Sequence, residues 1–167
     1  VIDIFSGVIS SVGTSGLSFY KPPSNFNLFF VFLTIIGGSI ISNSSGIKFL
    51  RFYVLLKSMF LEIFKLVTPN IVIDQRIIKT DYKINNENIS ISFLIFVSFF
   101  ISLLILTSFL SAGDLNFEKS FKLSILTLTN TVNSDLYGLK DLSFINLLTT
   151  SKVSIIIFMI IGKIELI

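Results

Sequence analysis

The chain contains no cysteine, no histidine and no tryptophan. Without cysteine there is no disulfide framework, no thiolate metal site and no cysteine nucleophile. Without histidine, imidazole ligands and histidine-based general base chemistry are excluded. Charge is scarce as well. Only 14% of the 167 residues are charged, against the roughly 25% with which a soluble domain covers its surface. A phosphate-binding loop is also missing, because Gly37, Gly38 and Gly46 are not followed by Gly-Lys-Ser/Thr and no strand precedes them. Asp114 and Glu118 fall at the start of a short helical stretch, where acidic side chains complement the helix dipole. They do not read as a general acid–base pair, and the sequence points away from an enzyme.

What the chain has is apolar residues. They make up 52% of it, with 19 Phe and a mean hydropathy of +0.88. The fold class expected is an all-α membrane protein. Ile89 to Leu110 is a run of 22 residues without a charge. At 1.5 Å per residue it reaches about 33 Å, enough for a hydrocarbon core of about 30 Å. Asn27 to Ile41 is too short alone. It runs into Gly37-Gly38-Ser39 and Ser42-Asn43-Ser44-Ser45-Gly46, and then Ile47 to Val67 resumes. Spacing alone fits two readings equally: a loop at the membrane surface, or one crossing interrupted by an unwound stretch. The second demands that the exposed backbone groups be buried in protein or line a watery path. A third segment begins near Val153 and carries Lys163 roughly 18 Å along. A charge at that depth faces a partner or a water-filled cavity, or else snorkels to the far interface. The chain starts at Val1 and ends at Ile167 inside an apolar run, so it is read as a fragment of a longer protein.

Two shorter pieces lie between. Val1 to Val12 leads into Gly13-Thr14-Ser15-Gly16, and Leu115 to Leu128 into Thr129-Asn130-Thr131-Val132-Asn133-Ser134. Each is too short to span, ends in small and hydroxyl residues, and is followed by a crossing. That is the sequence shape of a re-entrant pore loop. Gly16 and Val132 are 116 positions apart, which makes a weak internal repeat. Lys48, Arg51, Lys57, Lys65, Arg76, Lys79 and Lys83 are seven of the 13 basic residues. The positive-inside rule assigns them, with residues of about 48–88, to the cytoplasm. The net charge of +3 is thereby explained by topology, without nucleic acid. Thr68 to Ile78, with alternating β-branched residues, is expected to form a short hairpin.

A cation crossing a membrane must exchange its hydration shell for other oxygens, and converging backbone carbonyls supply them. Glycine takes the positive φ values that aim successive carbonyls at one axis. Gly13-Thr14-Ser15-Gly16 suits this role. Thr129-Asn130-Thr131 suits it less obviously, with Val132 where a Gly would be easiest. A single such cluster is usually a plain loop; two in the same context carry more weight.

Ile36-Gly37-Gly38-Ser39 through Asn43-Ser44-Ser45-Gly46-Ile47-Lys48-Phe49-Leu50-Arg51 resembles the Gly-Gly, Ser-Thr-x-Gly-Gly-Ile-Lys, Arg signature of the bacterial Trk/Ktr potassium uptake family. Ser11 to Ser18 resembles that family's third filter loop, Pro69-Asn70-Ile71-Val72-Ile73 its His-Pro-Asn-Ala-Val connector, and Met159 to Glu165 its Met-x-x-Gly-Arg-Leu-Glu helix. All four stand in family order and cover essentially the whole chain.

The resemblance implies the C-terminal part of a potassium-translocating subunit, about one and a half of four helix–pore loop–helix repeats. Residues 1–67 would be the pore helix, filter loop and interrupted second helix of the third repeat, and residues 68–88 a cytoplasmic connector. Residues 89–167 would be the fourth repeat, with helix 89–110, pore helix 115–128, filter loop 129–134 and second helix 151–167. It further implies potassium coordination by the backbone at Thr14, Ser15, Gly16, Asn130, Thr131 and Val132. Gly37, Gly38 and Gly46 would form a gating loop, and Lys163 would stand where a pore-facing Arg acts as a barrier. The expected setting is a multi-pass homodimer in the bacterial inner membrane, with a cytosolic nucleotide-binding regulatory subunit. Three departures bear on function: Val132 replaces the filter Gly, Asn43 and Ser45 break the gating-loop pattern, and Lys163 lacks the planar fork of Arg. The alternatives are a sodium transporter and a membrane scaffold without transport.

Overall fold

A chain this apolar, with only 9 Gly and 3 Pro, satisfies its backbone most economically within helices, where each amide finds its acceptor locally. The computed structural model describes residues 2–17, 24–39, 44–67, 85–113, 115–131, 135–139, 142 and 144–163. Among these residues every regular element is helical: α1 (Ile2–Val12), α2 (Asn27–Ile36), α3 (Phe49–Val67), α4 (Asn86–Ala112), α5 (Phe117–Leu128) and α6 (Thr149–Lys163). Single 3₁₀ turns occur at Ser24–Phe26, Asp135–Tyr137 and Phe144–Asn146. The expected hairpin at 68–78 and most of the connector lie outside the described residues, as do Val132, Asn133, Ser134 and residues 164–167.

The clean apolar run becomes α4, 27 residues long and therefore about 40 Å. It extends past the expected 89–110 at both ends, because Asn86 to Asn88 and Ser111-Ala112 are compatible with helix. It is the one described helix long and apolar enough to cross a membrane. Only 17% of its most apolar window is buried, with Phe93, Leu94, Ile101, Leu104 and Phe109 exposed. A soluble core helix would bury that face. A long apolar helix displaying it is compatible with a membrane protein, whose solvent is lipid.

The buried residues sort by helix. In α5, Ser120 and every residue from Leu123 to Leu128 are buried. Ile125, Leu126 and Leu128 join Phe30 and Val31 of α2, Leu103 of α4, and Leu136, Tyr137 and Leu139 beyond α5 in one core. Leu123 joins Leu106, Leu110, Leu147 and Ile155 in a second. α5 is thus the enclosed element, packed against α2, α4 and α6.

Its path positions the site. α4 ends at Gly113, where an added Cβ would meet Ser151 Oγ of α6 at 2.6 Å. At the other end of α5, Leu128 shares a cavity wall with Ile95, Ser98, Phe99 and Ser102 of α4 and with Ile161 and Gly162 of α6. α5 therefore starts beside the C-terminal end of α4, runs back about 18 Å and stops level with the middle of α4. The chain then returns through 135–139 and 144–148 to the end where α6 starts. α6 lies antiparallel to α4 along the second half of its length.

Candidate functional site

The two polar turns close their helices in the same way. After α1, Thr14 N–H donates to Ser11 O (3.1 Å) and Ser15 N–H to Ser10 O (3.1 Å). After α5, Asn130 N–H donates to Thr127 O (3.1 Å) and Thr131 N–H to Leu126 O (2.9 Å). These pairs of bonds, one spanning three residues and one spanning five, define the Schellman ending, in which one residue adopts the left-handed conformation. That residue is Thr14 (φ +53°) in the first turn and Asn130 (φ +50°) in the second, at an offset of 116 positions. Neither is glycine. The conformation costs an L-residue roughly 1–2 kcal/mol, and for β-branched Thr14 it is a true outlier. Strain of this kind, held twice at the same place, is characteristic of functional loops.

The hydroxyls match too. Ser10 Oγ donates to Leu17 O (2.6 Å) and lies 3.0 Å from Ser15 Oγ, which is also placed to donate to Ser10 O (3.4 Å). Thr129 Oγ1 donates to Ile125 O (2.8 Å) and lies 2.7 Å from Thr131 Oγ1, which is also placed to donate to Thr129 O (3.4 Å). In both turns the hydroxyl two residues past the helix cap folds back onto its own helix end. Gly16 takes φ +66°, as expected for a glycine that redirects successive carbonyls. Among the described residues, the carbonyls of Thr14, Ser15, Gly16, Asn130 and Thr131 accept no hydrogen bond, which leaves them available as oxygen ligands.

The stretch between α2 and α3 is an excursion that leaves and rejoins at one place. Ile47 N–H donates to Ile35 O (2.8 Å) and Phe49 N–H to Gly38 O (3.1 Å), while Gly38 N–H donates to Ser44 Oγ (3.0 Å). Carbonyls that the end of α2 would leave orphaned thus receive partners from the start of α3. Gly37 (φ +63°) and Gly46 (φ +98°) make the close approach feasible. An added Cβ on Gly37 would lie 2.6 Å from Ser45 O, and one on Gly46 2.9 Å from both Thr34 O and Ile35 O. Residues 40–43, at the tip, lie outside the described residues.

The second turn meets this excursion. Asn130 Nδ2 donates to Met159 O of α6 (3.0 Å) and approaches Ser45 Oγ at 3.4 Å. Asn130, Met159, Ile160 and exposed Lys163 line a cavity of about 340 Å³. Gly162 is the close-packing point between α6 and the end of α5, since its added Cβ would lie 2.1 Å from Leu128 O. The structure therefore gathers Asn130, Gly37, Gly46 and Lys163 into one neighbourhood. Thr14, Ser15 and Gly16 close α1, whose Ser11 lies against Tyr137 of the segment that follows the second turn. Both of those hydroxyls are fully buried and face each other, and among the described residues neither meets another partner.

Sequence reasoning placed Gly162, Ser45 and Ser11 within family-like motifs without assigning them these contacts, and missed Tyr137. A signal existed for the first, because a small residue inside an apolar helix marks close helix packing. The others depend on contacts between distant segments, which carry no local pattern.

No family model matches the chain. Over its whole length it is 28% identical to a protein of Methanocaldococcus jannaschii described as an uncharacterized cation transporter. The chain spans 35% of that relative's length.

Proposed function

We propose that this chain is part of a membrane protein that conducts a monovalent cation, and that it contributes two of the oxygen-lined loops of a selectivity filter. The observation that carries this reading is the pair of matching strained turns. Each closes a helix too short to span and leaves its carbonyls unengaged. A carbonyl filter needs a backbone held in an unusual conformation at a fixed place, and the same solution at two positions 116 residues apart fits repeated units. The course of α5, which stops level with the middle of α4, is compatible with a re-entrant pore helix. The name of the archaeal relative agrees in class.

On this reading the fold is one and a half repeats of helix, pore loop and helix. The potassium ligands are the backbone carbonyls at Thr14, Ser15, Gly16, Asn130, Thr131 and Val132. The excursion held by Gly37, Gly38 and Gly46 is a gate, and Lys163 is a fixed positive charge beside the ion path. Potassium as the cargo, membership of the Trk/Ktr family, a cytosolic nucleotide-binding regulatory subunit, a homodimer and the bacterial inner membrane follow from the sequence resemblance. They are part of the proposal.

The test is growth of a potassium-uptake-deficient bacterium at low potassium when it carries the complete gene. Growth supports the reading. No growth despite normal membrane expression, together with sodium flux, moves the assignment to sodium; no flux of either ion leaves the scaffold. Replacing Gly16 by a bulky residue is expected to abolish discrimination between potassium and sodium.

A further inference from the structure

Ser11 takes part in closing the first turn, because its carbonyl accepts the Thr14 amide at 3.1 Å. At the offset of 116 positions it corresponds to Thr127, whose Oγ1 donates back to Leu123 O of its own helix at 2.7 Å. Ser11 has Gly7 O in the equivalent place and makes no such bond. Its hydroxyl faces that of Tyr137 instead, with both residues fully buried. The contact is one of several between the same two segments. Gly7 stands one turn before Ser11 on the same face of α1, wedged between α2 and the neighbour of Tyr137. An added Cβ there would lie 2.8 Å from Phe30 Cζ and 3.2 Å from Leu136 Cδ1. Gly138, at φ +74°, closes on the start of α2, where its added Cβ would lie 2.7 Å from Asn27 Nδ2. The segment 135–139 follows the second turn, yet it is seated on the helices on either side of the first. The Tyr137 ring also shares a core with Ile125, Leu126 and Leu128, the end of the helix that the second turn closes.

We infer that Tyr137 is a positioning residue for ion discrimination: facing Ser11, it fixes the end of α1, and with it the carbonyls of Thr14 and Ser15, at a set offset from the second turn. This rests on the reading of the two turns as filter loops. A carbonyl site discriminates between cations by the number and placement of its oxygens. Two loops contributed by separate units keep that placement only if one is fixed against the other. Tyrosine suits the task, because its ring is held in the core and its hydroxyl takes a polar partner when buried. Buried polar groups in folded proteins are nearly always paired, and among the described residues each of these two hydroxyls has only the other.

The test uses the full-length protein reconstituted in vesicles, with Tyr137→Phe, Ser11→Ala and the double variant. Each substitution deletes a hydroxyl and keeps the rest of the side chain in place. Potassium and sodium fluxes give the discrimination, and thermal melting of the same samples gives stability. Each single variant is expected to lower discrimination between potassium and sodium about two- to fivefold, the factor that corresponds to about one weak hydrogen bond. The double variant is expected to lose no more than the larger single, because one pair is broken only once. Unaltered discrimination in both single variants overturns the proposal. Losses that multiply in the double variant show that the two hydroxyls act separately, and overturn the pairing. Lower stability with unaltered discrimination makes the contact structural only, and overturns the proposal as well. A parent protein that moves neither ion removes the filter reading itself, and the proposal with it, before any variant is compared.

Discussion

Gly162→Ala sets helix propensity against packing, and the structure decides which wins. In a helix interior, alanine in place of glycine stabilises by about 0.5–1 kcal/mol. At position 162, however, the new Cβ would sit 2.1 Å from Leu128 O, 2.8 Å from Leu128 C and 2.9 Å from its Cα, where contacts below 3.0 Å essentially never occur. All three atoms are backbone, so no rotamer change relieves the overlap. α6 must retreat from α5 by at least 0.9 Å, the shortfall from 3.0 Å at the oxygen. α5 cannot yield instead, because Leu128 is 1% exposed and its neighbours Ile125 and Leu126 are packed against α2 and α4. Overpacking of this kind costs about 1–3 kcal/mol, so the net effect is a loss of about 0–2.5 kcal/mol. The retreat also carries Met159, three residues earlier on the same helix. Its 3.0 Å bond to Asn130 would approach 4 Å, beyond hydrogen-bond range. Thermal unfolding of the detergent-solubilised full-length protein and cation uptake in vesicles read the two consequences, and both are expected to fall. An alanine variant as stable as the parent or more so, with unaltered uptake, refutes the close packing of α6 on the end of α5.

Gly46→Ala is expected to destabilise by about 1–3 kcal/mol, because φ +98° adds strain to the clash with Thr34 O and Ile35 O. Gly113→Ala should lose less by the same melting assay, since its nearest contact is the movable hydroxyl of Ser151. Tyr137→Phe deletes a buried hydroxyl whose polar neighbour among the described residues is the Ser11 hydroxyl; stability is expected to change by no more than about 1 kcal/mol, and a larger loss in the same melting assay would show that the two hydroxyls bond each other strongly. Lys163→Met removes the positive charge from the cavity beside Asn130, and potassium flux is expected to increase; unaltered flux would place Lys163 away from the ion path.

The helices were legible where composition alone sets them. A 22-residue uncharged run has no alternative to α4, and the short apolar pieces that end in hydroxyl residues became α1 and α5 within two residues of the expected bounds. The Gly/Ser/Asn-rich stretch interrupts helix as its composition requires, and its described ends are bonded to each other. The left-handed residues were not legible. Glycine was the expectation for positive φ in the first turn, and Gly16 meets it. The residue that closes the helix is Thr14, because the two backbone bonds to Ser10 and Ser11 fix the conformation irrespective of the Cβ. Asn130 was visible as a member of a polar turn, but its reach to Met159 and Ser45 is set by how α5, α6 and the excursion pack, which no local pattern records.

The difference between the two turns is informative once their backbones are compared. Gly-Thr-Ser-Gly and Thr-Asn-Thr-Val share almost no side-chain identity, yet the hydrogen bonds and the left-handed residue coincide. A site built from side-chain ligands would keep only the hydroxyl shared by Ser15 and Thr131, since the other substitutions change or remove the donor atoms. A site built from carbonyls keeps its ligands, because every residue carries the same oxygen, and the side chains need only hold the path. They do so with different groups, Ser15 on Ser10 in one turn and Thr131 on Thr129 in the other. The limit of this freedom is the position of Gly16. Its φ of +66° is open to glycine and strained for a β-branched residue, and the corresponding residue is Val132. On the filter reading of the two loops, any difference in ion preference between them is expected to originate at that residue.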